Sequence, residues 1–209
     1  ARPDSATLAV LRAQTARLTR LASDMSAVSK AEEGRIELSL RPVAAVEVAQ
    51  SAVTASSEAY AAKGVSLTLE ADRSLPPLRA DPERLAQVLG NLLENALRHT
   101  PPGGAVAVIA RSEGAHQVEL AVCDDGEGIA PEHLPHVFER LYRADAARDR
   151  QHGGSGIGLA IVKAIVEAHG GHVTAVSNGR GQGTCIAVHL PIDNASAGRT
   201  AVDNGPARA

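Results

Sequence analysis

Leu8, Leu11, Leu18, Leu21, Met25 and Val28 recur at spacings of three, four or seven among Arg, Thr, Asp and Ser. That spacing lines a narrow helix face like a coiled-coil seam and predicts an amphipathic helix ending near Glu33-Gly34, where glycine supplies a stop. A short strand is expected at about Ile36 to Leu40. Pro42 then opens a second helical pattern through about Ala62 that stops at Lys63-Gly64. Val65 to Glu70 alternates as a strand should. Asp81-Pro82 pairs an N-cap with a proline at the first helical position, so a helix should run from there to about His99.

Two strand patterns follow, near Ala105 to Arg111 and His116 to Cys123. Asp124 to Ser155 is Gly-rich and charged, with a short helical segment expected only at about Pro131 to Leu141. A connection this long in a compact domain points to a functional loop. Gly156 to His169 reads as a helix, and Gly171 to Ser177 with Gly183 to Leu190 reads as a closing hairpin. From Asp193 onward Ala, Gly, Asn and Ser follow without periodicity, which predicts a disordered tail. Strands grouped beside helices rather than strictly alternating with them favour an α+β sandwich.

Composition narrows the function. At 209 residues the chain holds one domain with appendages. Its core must be Ala, Val, Leu and Ile, because Tyr60, Phe138 and Tyr142 are the only aromatics. That leaves no stacking platform for single-stranded nucleic acid. A net charge of -3 with dispersed cations gives no stripe for a phosphate backbone, so nucleic acid is not an expected partner. No run reaches the ~20 apolar residues of a membrane span and the start lacks a signal-peptide pattern, so no membrane contact by this chain is expected. Cys123 and Cys185, far apart in apolar runs, are expected as small core residues of a reducing compartment rather than a disulfide.

Three segments carry candidate chemistry. In Asn91 to Thr100, Asn91 and Asn95 lie four apart and share a helix face, with Arg98 and His99 extending it. Paired carboxamides suit a hard cation such as Mg²⁺ that takes its other ligands from water and phosphate, and equally suit a hydrogen-bonded structural pair. In Val122 to Pro131 a strand runs into Asp-Asp-Gly-Glu-Gly. Gly126 and Gly128 allow a sharp turn and close approach to a flat ligand, and Asp124 can accept a hydrogen bond from an exocyclic amine such as adenine's. A plain Gly-rich turn fits the same residues. In the third segment Gly154, Gly156 and Gly158 precede or open a helix whose free amides, with Ser155 as N-cap, make an anion site, or simply pack the helix closely. The spacing is neither a dinucleotide G-x-G-x-x-G nor a P-loop.

These segments in this order, joined by VFERLYRAD at Val137 to Asp145, resemble the N, G1, F and G2 boxes of the ATP-binding domain of sensor histidine kinases, part of the group that also holds gyrase, Hsp90 and MutL ATPases. The resemblance extends to LTRLASDMSAVSKAEEGRIEL, similar to the second helix of the dimerisation and phosphotransfer hairpin, and to the terminal GRGQGTCIAVHLP. It implies a two-layer α/β sandwich, a mixed sheet packed on helices in the Bergerat-type ATP-binding fold, preceded by one amphipathic helix. It also implies three regions: residues 1–34 as part of the phosphotransfer hairpin, 35–192 as the catalytic domain, and 193–209 as the tail.

The implied activity is that of a histidine protein kinase using ATP and Mg²⁺. Asn95 would bind Mg²⁺ with Asn91 in support, and Arg98 and His99 would stand near phosphate and base. Asp124 would receive the adenine amine, with Gly126, Gly128, Ile129 and Thr184 shaping the pocket. Tyr142, with Phe138, would pack the lid over it. Gly154, Ser155, Gly156, Ile157, Gly158 and Leu159 would line the phosphates, and Arg143 and Arg140 would reach the γ-phosphate. The loop from Ile129 to Ser155 would be a lid that is mobile without nucleotide.

In the related hydrolytic ATPases a Glu base stands one turn before the metal-binding Asn. Here that position is Asn91, which favours phosphoryl transfer over hydrolysis. No histidine precedes His99, so the phosphoacceptor helix is expected to be absent and the fragment is not expected to autophosphorylate alone. Implied partners are a phosphoacceptor helix of the same kinase, in cis or in trans within a homodimer, and a response regulator receiver domain. The implied location is cytoplasmic, with a membrane-anchored parent. A serine kinase of the anti-sigma-factor type and a non-catalytic nucleotide-responsive module are the competing readings. Lys163, Glu167, Arg180 and Arg111 are expected as surface charges. His116, His133, His136, His169, His172 and His189 are expected as turn or surface residues without a metal cluster.

Overall fold

The computed structural model describes Thr15 and residues 36–72, 74–142 and 156–193. The expected helix over Leu8 to Val28 is described only at Thr15, which is helical, and the tail beyond Asp193 lies outside the described residues. Arg41–Val43 forms β1, Ala45–Lys63 α1, Ser66–Ala71 β2, Leu78–Ala80 β3 and Pro82–His99 α2. Ala105–Glu113 forms β4, Gln117–Asp124 β5, Gly158–Ala168 α3, His172–Val176 β6 and Thr184–Pro191 β7, with a short 3-10 turn at Leu134–His136. The main sheet runs β2-β4-β5-β7-β6, with β2 parallel to β4 and every other pair antiparallel. β1 and β3 make a separate antiparallel pair.

Alternation along the strands decides which face meets the helices. Val106, Val108 and Ala110 of β4, Val118, Leu120 and Val122 of β5, and Ile186, Val188 and Leu190 of β7 are buried one residue apart. Onto them pack Leu85, Val88, Leu89, Leu92, Leu93 and Ala96 of α2 and Ile161, Val162, Ile165 and Val166 of α3, joined by Val48, Ala49 and Tyr60 of α1. This is the two-layer α+β sandwich expected from the sequence.

The start of α2 is fixed by Asp81. One carboxylate oxygen accepts the N–H groups of Glu83 at 3.0 Å and Arg84 at 3.2 Å, and the other accepts Ser39 N–H at 3.0 Å. Burial alone would raise this carboxyl, but those donors outweigh it and hold it below its ordinary value. His169, at the end of α3, donates from Nδ1 to Ile165 O and accepts Asp81 N–H at Nε2, 3.0 Å. At the other end of α2, Lys63 donates to the carbonyls of Leu97 and Arg98, the natural role for a cation at a helix C-terminus.

Four expectations are corrected. The strand placed at Ile36 to Leu40 forms at Arg41–Val43 instead, so Pro42 sits in a strand rather than opening α1. Proline lacks an N–H but tolerates a short edge strand. The helical segment expected at Pro131 to Leu141 is reduced to the 3-10 turn. Cys123 and Cys185, 62 residues apart, are cross-strand partners of β5 and β7 and are joined in a disulfide rather than lying separately. His169 and His189 are buried rather than on the surface.

Candidate functional site

α2 carries the asparagines because its apolar residues fix its rotation. With Leu92, Leu93 and Ala96 buried, Asn91 and Asn95 fall on the adjacent, half-buried flank. Asn91 Nδ2 donates to Gly158 O at 3.3 Å, which ties the flank to the first residue of α3. Among the described residues no side chain or backbone group hydrogen-bonds the carboxamide of Asn95. The four N-terminal amides of a helix lack intrahelical partners, so the start of α3 at Gly158 and Leu159, with Ile157 at the cap position, presents donors beside Asn91.

The second half of the site lies where β5 and β7 end. Asp124 faces Thr184 across the ladder, and its carboxylate accepts the N–H of Gly126 at 2.9 Å and that of Thr184. Burial pushes the Asp124 carboxyl above its ordinary value. The two amides and the nearby His99 pull it back, and Asp125 adds to the rise. Asp125 turns away and accepts Ala105 N–H at 2.8 Å.

Glycine is required where the backbones touch. A Cβ on Gly126 would stand 2.3 Å from His99 O, one on Gly128 2.1 Å from Gly179 O, and one on Gly183 2.0 Å from Asp124 O. The loop after β5 is thereby pressed against the end of α2 and the turn before β7. Glu127 N–H donates to His99 O at 3.1 Å, while His99 Nδ1 meets the Glu127 carboxylate at 3.2 Å.

Ser177 was missed by sequence reasoning. Its hydroxyl accepts Ile129 N–H at 2.9 Å and donates to Gly183 O at 2.6 Å, joining the loop to the β7 turn. Only register could have revealed it. Tyr60 was noted only as an aromatic. It is buried beneath α2 and donates to Leu93 O at 2.9 Å, with burial and then the Asp124 charge holding its hydroxyl well above its ordinary value.

Across the loop, Leu141 N–H donates to Gly156 O at 2.9 Å, and Leu141 has φ 59°. Tyr142 OH meets His133 Nδ1 at 2.8 Å, and Phe138 packs against the core. Arg98 pairs with Glu94 at 3.0 Å, and Arg140 is exposed. Thus Asn91, Gly158 and Leu159 converge on one side and His99, Asp124, Gly126, Gly128, Ile129 and Thr184 on the other, with α2 spanning both. Arg143, Gly154 and Ser155 lie outside the described residues. The Asn91 carboxamide at the start of α3, with Asn95 unpartnered among the described residues, fits a hydrated divalent cation.

A mixed sheet under helices, with Asn91 of α2 bonded to Gly158 at the start of α3, defines a two-layer α/β sandwich. Residues 80–194, over half of the chain, match the family described as "Histidine kinase-, DNA gyrase B-, and HSP90-like ATPase", and the chain belongs to that family. Its relatives include sensor histidine kinases, to whose ATPase region it is similar. The signal transduction histidine-protein kinase BaeS of Escherichia coli (strain K12) is 36% identical over 187 residues, 90% of this chain and 39% of BaeS. Sensor histidine kinase CusS of Escherichia coli O157:H7 is 48% identical over 129 residues, 62% of this chain and 26% of CusS. The chain therefore spans well under half of these relatives. Among solved structures, full-length ShkA in complex with AMPPNP has TM-score 0.78 at 29% identity, covering 90% of this chain and 38% of ShkA. Histidine kinase AdeS of Acinetobacter baumannii has TM-score 0.75 at 22% identity, covering 93% and 88%, and shares the fold. No helix of the described residues is long and apolar enough to cross a membrane.

Proposed function

We propose that this chain binds Mg-ATP and transfers its γ-phosphoryl group to a histidine on a sensor kinase phosphotransfer helix, from which it passes to a response regulator aspartate. The observation that carries the reading is the half-buried Asp124 carboxylate, held by two backbone amides beside Thr184 and near His99 at the end of α2, the helix that carries the asparagines. A carboxylate so placed accepts adenine's amino group, while Gly126, Gly128, Ile129, His99 and Thr184 shape the surround. Asn91, Arg98 and the amides from Gly156 to Leu159, with Gly154 and Ser155 before them, hold the phosphates. Asn95 would hold Mg²⁺, which neutralises phosphate charge when bound. ShkA, the neighbour complexed with AMPPNP, supports an adenine nucleotide as ligand.

Transfer rather than hydrolysis follows from the bases available. Asn91 has no proton affinity at neutral pH, and Glu94 is exposed and engaged with Arg98 at 3.0 Å. Neither is placed to activate water. An imidazole nitrogen instead attacks the γ-phosphorus as the bond to the β-γ bridging oxygen breaks and ADP leaves. Arg140 and Arg143 stabilise charge on the transferring group, and Tyr142 packs the lid. We assign residues 1–34 to the second hairpin helix, 35–192 to the catalytic domain and 193–209 to a tail, working on the cytoplasmic side. The acceptor helix belongs to the same kinase.

The test is incubation with γ-labelled ATP, with and without a separate helical hairpin carrying a histidine. Label should appear only on the hairpin, rise with its concentration and be acid-labile. Acid-stable label on the chain alone would replace the reading with a serine or threonine kinase, and no label anywhere would leave a non-catalytic module.

A further inference from the structure

The sheet face turned away from the helices carries a polar cluster that nucleotide chemistry does not use. Register places Arg111 of β4, Glu119 of β5, His189 of β7 and His172 of β6 in one row across four strands. Glu113, two residues beyond Arg111 on the same face, contacts His189 Nδ1 through its carboxylate. One ligand atom each from Glu113, Glu119 and His189 lies within 4.8 Å of the others. Glu119 is 7% exposed and His189 5%, whereas polar residues on an open sheet face are ordinarily solvated. His172 covers His189 as a parallel ring at 4.3 Å.

We propose that Glu113, Glu119 and His189 form a binding site for a divalent transition-metal ion of the Zn²⁺ class. One imidazole with two carboxylates suits Zn²⁺, whereas Mg²⁺ and Ca²⁺ take oxygen ligands. The three ligands come from three strands whose register fixes their positions, so little ordering is left to binding. Thr174 Oγ1 stands 3.0 Å from His189 Nε2. A hydroxyl can donate or accept, so Nε2 keeps its partner when Nδ1 becomes a metal ligand, and Thr174 orients the ring.

Arg111 is the competing cation, with its guanidinium 2.9 Å from Glu119 Oε1. Its side chain is 58% exposed and can swing into solvent, releasing Glu119 to a metal. Glu119 and Asp124 lie five positions apart along β5, roughly 17 Å at strand rise, so the site is separate from the nucleotide site.

The experiment is calorimetric titration of the whole chain with Zn²⁺ alone, paired with thermal melts. One ion should bind per chain and raise Tm. His189→Gln and Glu119→Gln should weaken binding roughly 100-fold, and Thr174→Val about tenfold. Millimolar Mg²⁺ should not compete. Arg111→Gln separates a metal site from an ion-pair network: removing the competing charge should leave Zn²⁺ affinity equal or several-fold tighter. Exposed Glu113→Gln, which leaves both buried residues in place, provides a ligand variant that folds if the buried variants do not, and it too should weaken binding. Absence of saturable Zn²⁺ binding, binding undiminished by His189→Gln, or weaker binding in Arg111→Gln would each overturn the proposal.

Discussion

Gly183→Ala tests how the proposed nucleotide site is held together. Gly183 has φ +67° and its Cβ would lie 2.0 Å from Asp124 O and 3.0 Å from Asp125 Cα. Both neighbours are backbone and cannot rotate away. The gap between β5 and β7 must open by about 1.4 Å to reach ordinary contact at 3.4 Å, just where Asp124 pairs with Thr184. The left-handed conformation costs an alanine about 1–2 kcal/mol, and backbone displacement adds about 1–3 kcal/mol. The expected loss is roughly 2–5 kcal/mol, or on the order of 10 °C in Tm for a domain of this size. Because the displaced atoms carry the Asp124 carboxylate, ATP affinity should fall with stability. Gly114→Ala is the control: φ is +62° but nothing lies within 4 Å, so only the conformational cost remains, about 1–2 kcal/mol, with ATP affinity unchanged. Thermal melts and calorimetry on both variants decide the matter. Equal behaviour of the two would mean that the contact with Asp124 O does not hold the site.

Asn95→Ala should abolish the Mg²⁺ dependence of nucleotide affinity while moving stability by about 0.5 kcal/mol or less, because the carboxamide has no partner among the described residues; calorimetry with and without Mg²⁺ and a denaturant curve read both effects. Asp81→Ala should cost about 1–2 kcal/mol at neutral pH by removing the N-cap of α2. The Asp81 carboxyl is held below its ordinary value, so its contribution is present above that value and lost as pH falls through the folded pKa; urea midpoints of the two proteins should therefore converge in acid. Tyr60→Phe should cost about 0.5–1.5 kcal/mol by removing the hydroxyl's bond to Leu93 O, which keeps its helical partner, measurable as a shift in denaturation midpoint.

Elements with their own punctuation were legible. Asp81-Pro82 marked the first turn of α2, Lys63-Gly64 the end of α1, and the 3.6-residue period of α2 placed Asn91 and Asn95 on one flank. β3 was missed because three residues after a Pro-Pro pair carry no period, and its strand exists through pairing with β1 and a bridge from Leu78 to Ile192. Pro42 fits a helix start and an edge strand equally, so local chemistry could not choose. In the site, the motifs named Asp124 and the glycines, but their partners are set by strand register. The Asp124–Thr184 pairing, the Ser177 bridge and the Cys123–Cys185 link all depend on how β5 meets β7. The burial of His189 is likewise a property of four aligned strands, not of the sequence around it.

If Asp124 reads an adenine base, the chain should discriminate between bases. Adenine presents an amino donor to the carboxylate, whereas guanine presents a carbonyl acceptor at the same place. Calorimetry of the native chain should show ATP binding with GTP weaker by roughly 100-fold, since a charged hydrogen bond is replaced by two facing acceptors. Asp124→Asn, whose amide can donate as well as accept, should weaken ATP and narrow that ratio. Equal affinity for ATP and GTP in the native chain, or an unchanged ratio in Asp124→Asn, would mean that Asp124 does not read the base.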